Sequence, residues 1–275
     1  MEFWQNIYSH FDPVAFNLGT IKVHWYGIMY AAALISAIFI AKWIIKKDNI
    51  PIDQDLFDSY IWWSEIGVIL GARLGFVLFY DTNTMYYLTH PWQIFNPYID
   101  GVYTGISGMS YHGAIIGFAI SSFLFCRKHK ISFWFLADIA VLGISGAYVL
   151  GRIGNFFNQE LIGRVTDVPW GIYVDEVLRH PSQIYEAILE GVVIFAILFW
   201  YRKRKSFNGE LALIYGITYS IARIIAEFYR QPDVQLGFLY GEWLTMGMLI
   251  SGIFAIISAI VFVKLKARLA THHDS

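Results

Sequence analysis

A single cysteine, Cys126, stands in a chain of 275 residues, so no intrachain disulfide can form. Charge is scarce as well. Charged residues make up 15% of the chain, against about a quarter in soluble domains, which argues against an ordinary water-facing surface. The net charge is −1, so bulk electrostatics point to no nucleic acid or strongly charged protein partner. The eight histidines are scattered, no His-x3-His or Cys-x2-Cys pair occurs, and the adjacent pair at 272–273 lies in the tail; no metal and no cofactor is expected. The N-terminal MEFWQNIYSHFDP has no basic n-region, which argues against a cleaved signal peptide. No fixed-period repeat and no low-complexity tract is visible.

Hydrophobic residues fill the space that charge leaves. They make up 57% of the chain, with aromatics at 18% and a mean hydropathy of +0.49. Runs near the roughly 20 residues needed to cross a bilayer recur at 23–45, 60–80, 108–126, 133–151, 183–201, 210–228 and 242–263. The expected fold is all-α: a polytopic membrane protein of seven transmembrane helices, forming one integral domain over 1–275. Basic clusters close alternate runs: Lys42, Lys46 and Lys47; Arg127, Lys128 and Lys130; Arg202, Lys203, Arg204 and Lys205; Lys264, Lys266 and Arg268. The positive-inside rule puts these ends in the cytoplasm. The N-terminus is then outside and the C-terminus cytoplasmic, with 81–107 and 152–182 as outer-face segments.

The remaining basic residues are Lys22, Arg73, Arg152, Arg164, Arg179, Arg223 and Arg230. All fall at or near the outer ends of runs, against the topology rule. Charges in that position are costly and tend to have a partner or a function. Arginine holds carboxylate or phosphate oxygens bidentately, which lysine cannot do. Their convergence on one face points to an anionic ligand near the outer leaflet. The bland alternative for each is a helix-end snorkeler or a structural ion pair.

Three constellations carry the chemistry. Tyr219, Arg223, Glu227 and Arg230 follow i, i+4, i+8 and i+11 and share a helical face. They form either a self-satisfying Arg223–Glu227 pair or an arginine held in place by its carboxylate. Gln183, Glu186 and Glu190 share another face, where a structural salt-bridge lattice is favoured over direct catalysis. His112 lies about one turn inside the third run and is the side chain able to take a proton near neutral pH. Gly67, Gly71, Gly75, Gly113 and Gly117 fit small-xxx-small helix packing. Tyr26 and Tyr30 lie one turn apart at the outer interface, beside His24 and Trp25, where aromatic belts form in any case.

The stretch GRIGNFFNQELIG, residues 151–163, resembles the signature of prolipoprotein diacylglyceryl transferases. HWYG at 24–27, GARLGFVLFY at 71–80, GMSYHG at 108–113, RHPSQIYE at 179–186 and ARIIAEFYRQPD at 222–233 resemble the same family in the same order, over about residues 12–250. The resemblance implies transfer of the diacylglyceryl group of phosphatidylglycerol to the lipobox cysteine thiol of a prolipoprotein. A thioether forms and glycerol phosphate leaves. The expected partners are phosphatidylglycerol, a prolipoprotein signal peptide and membrane lipids, at the outer leaflet of a bacterial cytoplasmic membrane. By resemblance, Arg152 binds the lipid phosphate, Arg223 is a second essential arginine and His112 is the candidate base. Asn155 and Glu160 hold the head group and Arg152, and Tyr26 and Tyr219 lie near the head group. Gly163, Glu227 and Arg230, with Arg73, Arg164, Gln183 and Glu186, match supporting positions. The chain departs from the family at Met248, where a Gln is expected, and near Gly252, where a Pro is expected.

Two other classes stand beside this reading: a transporter or binding protein for an anionic lipid, and a non-catalytic scaffold. Transporters place charges near the midplane and show paired half-repeats with broken helices, and the charges here gather at one end. A scaffold has no need of a base beside arginines.

Overall fold

The computed structural model describes residues 1–19, 21–99, 102–103, 108–232 and 237–273. Each predicted run corresponds to one helix: α1 Trp25–Lys47, α2 Gln54–Phe79, α3 Tyr111–His129, α4 Phe133–Phe157, α5 Ser182–Tyr201, α6 Glu210–Glu227 and α7 Met246–His273. Five of these, α1, α2, α4, α5 and α7, are long and apolar enough to cross a membrane. The other two are more polar. α3 ends in Arg127, Lys128 and His129, and α6 carries Glu210, Arg223 and Glu227 within 18 residues. Three short antiparallel hairpins join Val14–Leu18 to Ile21–His24, Tyr98–Ile99 to Val102–Tyr103, and Ile172–Val174 to Val177–Arg179.

Local chemistry sets the boundaries. α2 begins six residues before its hydrophobic run because Asp53 caps it, accepting from the Leu56 N–H at 2.9 Å. Ser110 caps α3 through the Gly113 N–H at 3.1 Å. α3 stops at Lys130, which turns into the left-handed region at φ 56°. α4 runs six residues past its predicted end and so carries Arg152 and Asn155 on its last turns. α5 is not a uniform α-helix. Its middle, Ala187–Val193, is π-helical, a local widening often found at functional sites.

The chain divides into two compact units, Met1–Asn49 with Trp134–Ser275, and Ile50–Phe133. In the second unit, α2 and α3 meet along the predicted glycines. A Cβ on Gly75 would lie 2.7 Å from the Gly113 Cα, and one on Gly71 2.7 Å from the Gly117 Cα. These residues let two backbones touch, the packing role expected of them. Arg73 is buried in the same unit, where its Nε donates to the Ile94 carbonyl and its Nη1 to the Gly108 carbonyl at 3.2 Å.

In the first unit, α6 is held at one end by α4. Buried Asp138 accepts from the Gly209 N–H at 2.9 Å and the Ala212 N–H at 3.0 Å, and pairs with Lys205 at 2.9 Å. Arg202 ties the end of α5 to Asp48 after α1, at 2.7 Å. At the opposite end of α4, Tyr8, Phe156 and Ile172 form a small core that seats the N-terminal segment against the hairpin Ile172–Val174/Val177–Arg179.

Candidate active site

The site is built from the end of α4, the start of α5 and the end of α6. Arg152 sits on α4, four residues after Tyr148, so the two side chains share a face. Arg152 Nη1 lies 2.9 Å from Glu186 Oε2, and its Nη2 lies 3.8 Å from Glu190 Oε2. Its Nε donates to Tyr148 Oη at 2.8 Å, and its Nη2 donates to the same oxygen. Tyr148 in turn donates to Glu190 Oε2. Arg152 Nη1 also donates to Asn155 Oδ1 at 3.4 Å, and Asn155 Nδ2 donates to Glu160 Oε1 at 2.7 Å.

Arg223 approaches the same carboxylates from α6. Its Nη1 lies 3.3 Å from Glu186 Oε1 and 3.5 Å from Glu190 Oε1, while its Nη2 pairs with Glu227. Glu186 and Glu190 are fully buried. Glu186 therefore bridges two arginines from two helices, one oxygen to each. Neither of its oxygens accepts a well-aligned hydrogen bond among the described residues, so the bridge is ionic.

Glu227 is fixed in place. Thr245 Oγ1 donates to its Oε2 at 2.7 Å, and a Cβ on Gly247 would fall 2.7 Å from its Oε1. The predicted face on α6 ends sooner than its spacing suggested, because the helix stops at Glu227. Arg230 lies beyond that end, paired backbone to backbone with Gly163, and its Nη1 still comes to 3.9 Å from Glu186 Oε1. Arg164 binds that turn through its Nε to the Arg230 carbonyl at 3.0 Å and its Nη2 to the Glu227 carbonyl at 3.1 Å. Gly163 is buried against the His180 backbone, and a Cβ there would collide with the His180 carbonyl. Gln183 donates to the Glu160 carbonyl and, at 3.3 Å, to Tyr8 Oη. Burial raises the Tyr8 phenol above its usual range and outweighs the opposing bond to Gln183.

Arg152, Asn155, Glu160, Glu227, Arg223 and Arg230 are thus joined in one network with Glu186 and Glu190. The salt-bridge lattice expected on α5 is present; the Arg223–Glu227 pair forms, and the same arginine also contacts Glu186. Tyr219 meets the network through Tyr148, with ring centroids 6.1 Å apart and nearly perpendicular. Tyr26 is half-exposed on the first turn of α1, where its ring stacks on Tyr30 at 6.3 Å. His112 belongs to the second unit, where its Nδ1 lies 3.3 Å from Tyr80 Oη. Met248 is buried, and its N–H donates to Thr245 Oγ1 at 3.2 Å, so its backbone rather than a polar side chain serves the Glu227 cradle.

Tyr148, Thr245 and Gly247 escaped sequence reasoning. Tyr148 is one aromatic in an apolar run, and its place one turn before Arg152 is the local signal it carries. Nothing local marked Thr245, which lies 18 residues from Glu227.

Fold and site together define a polytopic helical membrane protein that buries an arginine–carboxylate network among its helices. A family model for prolipoprotein diacylglyceryl transferases matches residues 13–264. The chain is 78% identical over 257 residues to the phosphatidylglycerol–prolipoprotein diacylglyceryl transferase of Aliarcobacter butzleri, covering 94% of both chains. It is 58% identical to the protein of that name from Campylobacter jejuni strain 81-176, covering 97% of this chain and 98% of the relative. The Wolinella succinogenes protein of the same name is 59% identical, over 90% of this chain and 91% of its own. The chain belongs to the prolipoprotein diacylglyceryl transferase family.

Proposed function

We propose that this chain transfers the diacylglyceryl group of phosphatidylglycerol to the lipobox cysteine of a prolipoprotein. The cysteine sulfur bonds to the glycerol carbon that carried the phosphate, and that carbon–oxygen bond breaks. The electron pair leaves with glycerol phosphate. The thiol, with a usual pKa of about 8.5, reacts as thiolate, and His112 is the group proposed to take its proton. The observation that carries the reading is the convergence of Arg152 and Arg223, from two helices, on Glu186. Two fixed, largely buried guanidiniums stabilise the charge that grows on a departing phosphate ester.

Asn155 and Glu160 orient Arg152, while Glu227 orients Arg223; Gly163 and Arg230 hold the turn beside them. Tyr26 and Tyr219 are proposed to flank the head group. The carboxylates already neutralise the arginines, so an arriving phosphodiester competes with Glu186 and Glu190 and does not enter an unpaired positive cavity. We place the protein in a bacterial cytoplasmic membrane as one domain of seven spans. The N-terminus lies outside, the C-terminus in the cytoplasm, and the site faces the outer leaflet with 152–182; of the other expected outer-face segment, 81–107, residues 100–101 and 104–107 lie outside the described residues. The basic clusters at Lys46, Arg127, Arg202 and Lys264 support that orientation.

The deciding experiment is the intact mass of a lipobox peptide after incubation with purified protein and phosphatidylglycerol. A gain of one diacylglyceryl group on the cysteine is expected. No gain, with phosphatidylglycerol still bound to the protein, would instead support a lipid-binding protein or transporter.

A further inference from the structure

Arg152 turns its Nε/Nη2 edge to Tyr148, with Glu190 Oε2 3.8 Å from Nη2. Tyr148 Oη accepts from both nitrogens of that edge and passes its own proton to Glu190 Oε2. The guanidinium also lies over the Tyr148 ring, 4.8 Å from its centroid. The remaining corner, Nη1, is shared between Glu186 and Asn155. The phenol thus bridges the arginine and the second carboxylate, which stays at 3.8 Å from Nη2, within ion-pair range but short of a direct hydrogen bond. Tyr148 is donor to one and acceptor from the other, a pairing that only a hydroxyl supplies at this place.

We infer that Tyr148 is a positioning residue for the transfer reaction: its hydroxyl fixes the Arg152 fork and keeps Glu190 from closing into direct contact with it, so that Nη1 keeps one direction as charge builds on the leaving phosphate. The inference rests on the proposed role of Arg152 as phosphate clamp. Its geometric basis is independent of that role. Held on one edge by an oxygen from its own helix, Arg152 can exchange Glu186 for a phosphate oxygen without rotating. Without the hydroxyl, Arg152 Nη2 and Glu190 Oε2, 3.8 Å apart, are free to close on each other, which swings Nη1 away. A shift of about 1 Å at a reacting group costs on the order of a hundredfold in rate.

The test is Tyr148→Phe in detergent-solubilised full chain, with kcat and KM measured for phosphatidylglycerol and a lipobox peptide. The expected result is a fall in kcat of about ten- to a hundredfold, with KM for the lipid within about threefold of wild type, because the arginine charge remains while its aim is lost. A purely structural role would lower yield or melting temperature and leave kcat per folded molecule unchanged, and that result would overturn the inference. Should Tyr148→Phe not accumulate, the double variant Tyr148→Phe/Glu190→Gln removes the carboxylate that the single change leaves without its donor. There the anion that draws Arg152 is gone, so kcat is expected to stay within about threefold of Glu190→Gln alone, and a further loss of about tenfold or more overturns the inference. Arg152→Lys is measured alongside. Full activity in Arg152→Lys would sink the phosphate-clamp reading itself. Loss in Arg152→Lys with full activity in Tyr148→Phe would sink only the role given to Tyr148.

Discussion

Glu186→Gln is expected to weaken the protein and strengthen its hold on anionic lipid. Ion pairs within 4 Å link Arg152, Arg223 and Arg230 to Glu186, Glu190 and Glu227, three charges of each sign. Glu186 touches all three arginines, at 2.9, 3.3 and 3.9 Å. Removing one partner of a buried pair costs about 3–5 kcal/mol, and Glu190 remains 3.5 Å from Arg223, which favours the lower figure. For a chain of this size each kcal/mol moves the melting temperature by about 2–4 °C, so the drop is about 6–12 °C. Because the bridge is ionic, glutamine should do little better than alanine. The substitution also leaves one positive charge in excess. A phosphate charge about 5 Å away at an effective dielectric of about 20 gains about 3 kcal/mol from it, roughly a hundredfold in Kd. Saturating phosphatidylglycerol should therefore return most of the lost melting temperature, and a zwitterionic phospholipid should not. The assay is a thermal melt in neutral detergent with each lipid. If Glu186→Gln melts with the wild type, or gains no more from phosphatidylglycerol than the wild type does, the charge accounting is wrong.

Other perturbations probe separate parts of the molecule. His112→Asn should lose most activity near neutral pH and regain it as pH approaches the thiol pKa of about 8.5; an inert variant at every pH would reduce His112 to a positioning role. Gly163→Ala should lower thermal stability by driving a methyl into the His180 carbonyl, and wild-type melting would show that this crossing relaxes freely. Gly247→Ala should push Glu227 off Thr245, since the new Cβ would lie 2.7 Å from Glu227 Oε1, and transfer should fall with it; unchanged kcat would mean that Glu227 does not aim Arg223. Burial lowers the pKa of His180, against the weaker pull of Asp167, so the folded state favours the neutral ring. Its contribution is therefore complete above the unfolded value of about 6.5 and declines as pH falls below it. Melting curves at pH 8 and pH 5.5 should differ less in His180→Gln than in wild type.

Much of the helical plan was legible in the chain because it is a local property. Apolar runs demand helices where backbone groups cannot meet water, and each run does correspond to a helix. The errors lie where polar residues decide. Asp53 draws α2 back to residue 54, and the signature residues Arg152 and Asn155 turn out to lie on α4 itself. The π-helical turn around Glu190 leaves no trace in hydrophobic periodicity.

The candidate site shows the same division. Composition was enough to mark a helical membrane protein, and arginines in or beside apolar runs marked residues that need partners, since burying an arginine is costly wherever it occurs. Which carboxylate meets which arginine was not contained in any local pattern. Arg152 and Arg223 lie 34 and 37 positions from Glu186 in the chain, and only the packing of three helices brings them to its two oxygens. Tertiary structure likewise converted Tyr148 from a lipid-run aromatic into the bridge between Arg152 and Glu190, and Thr245 into the anchor of Glu227. Hydrophobicity acts on each segment by itself, whereas a buried charge is satisfied only by partners that the whole fold delivers.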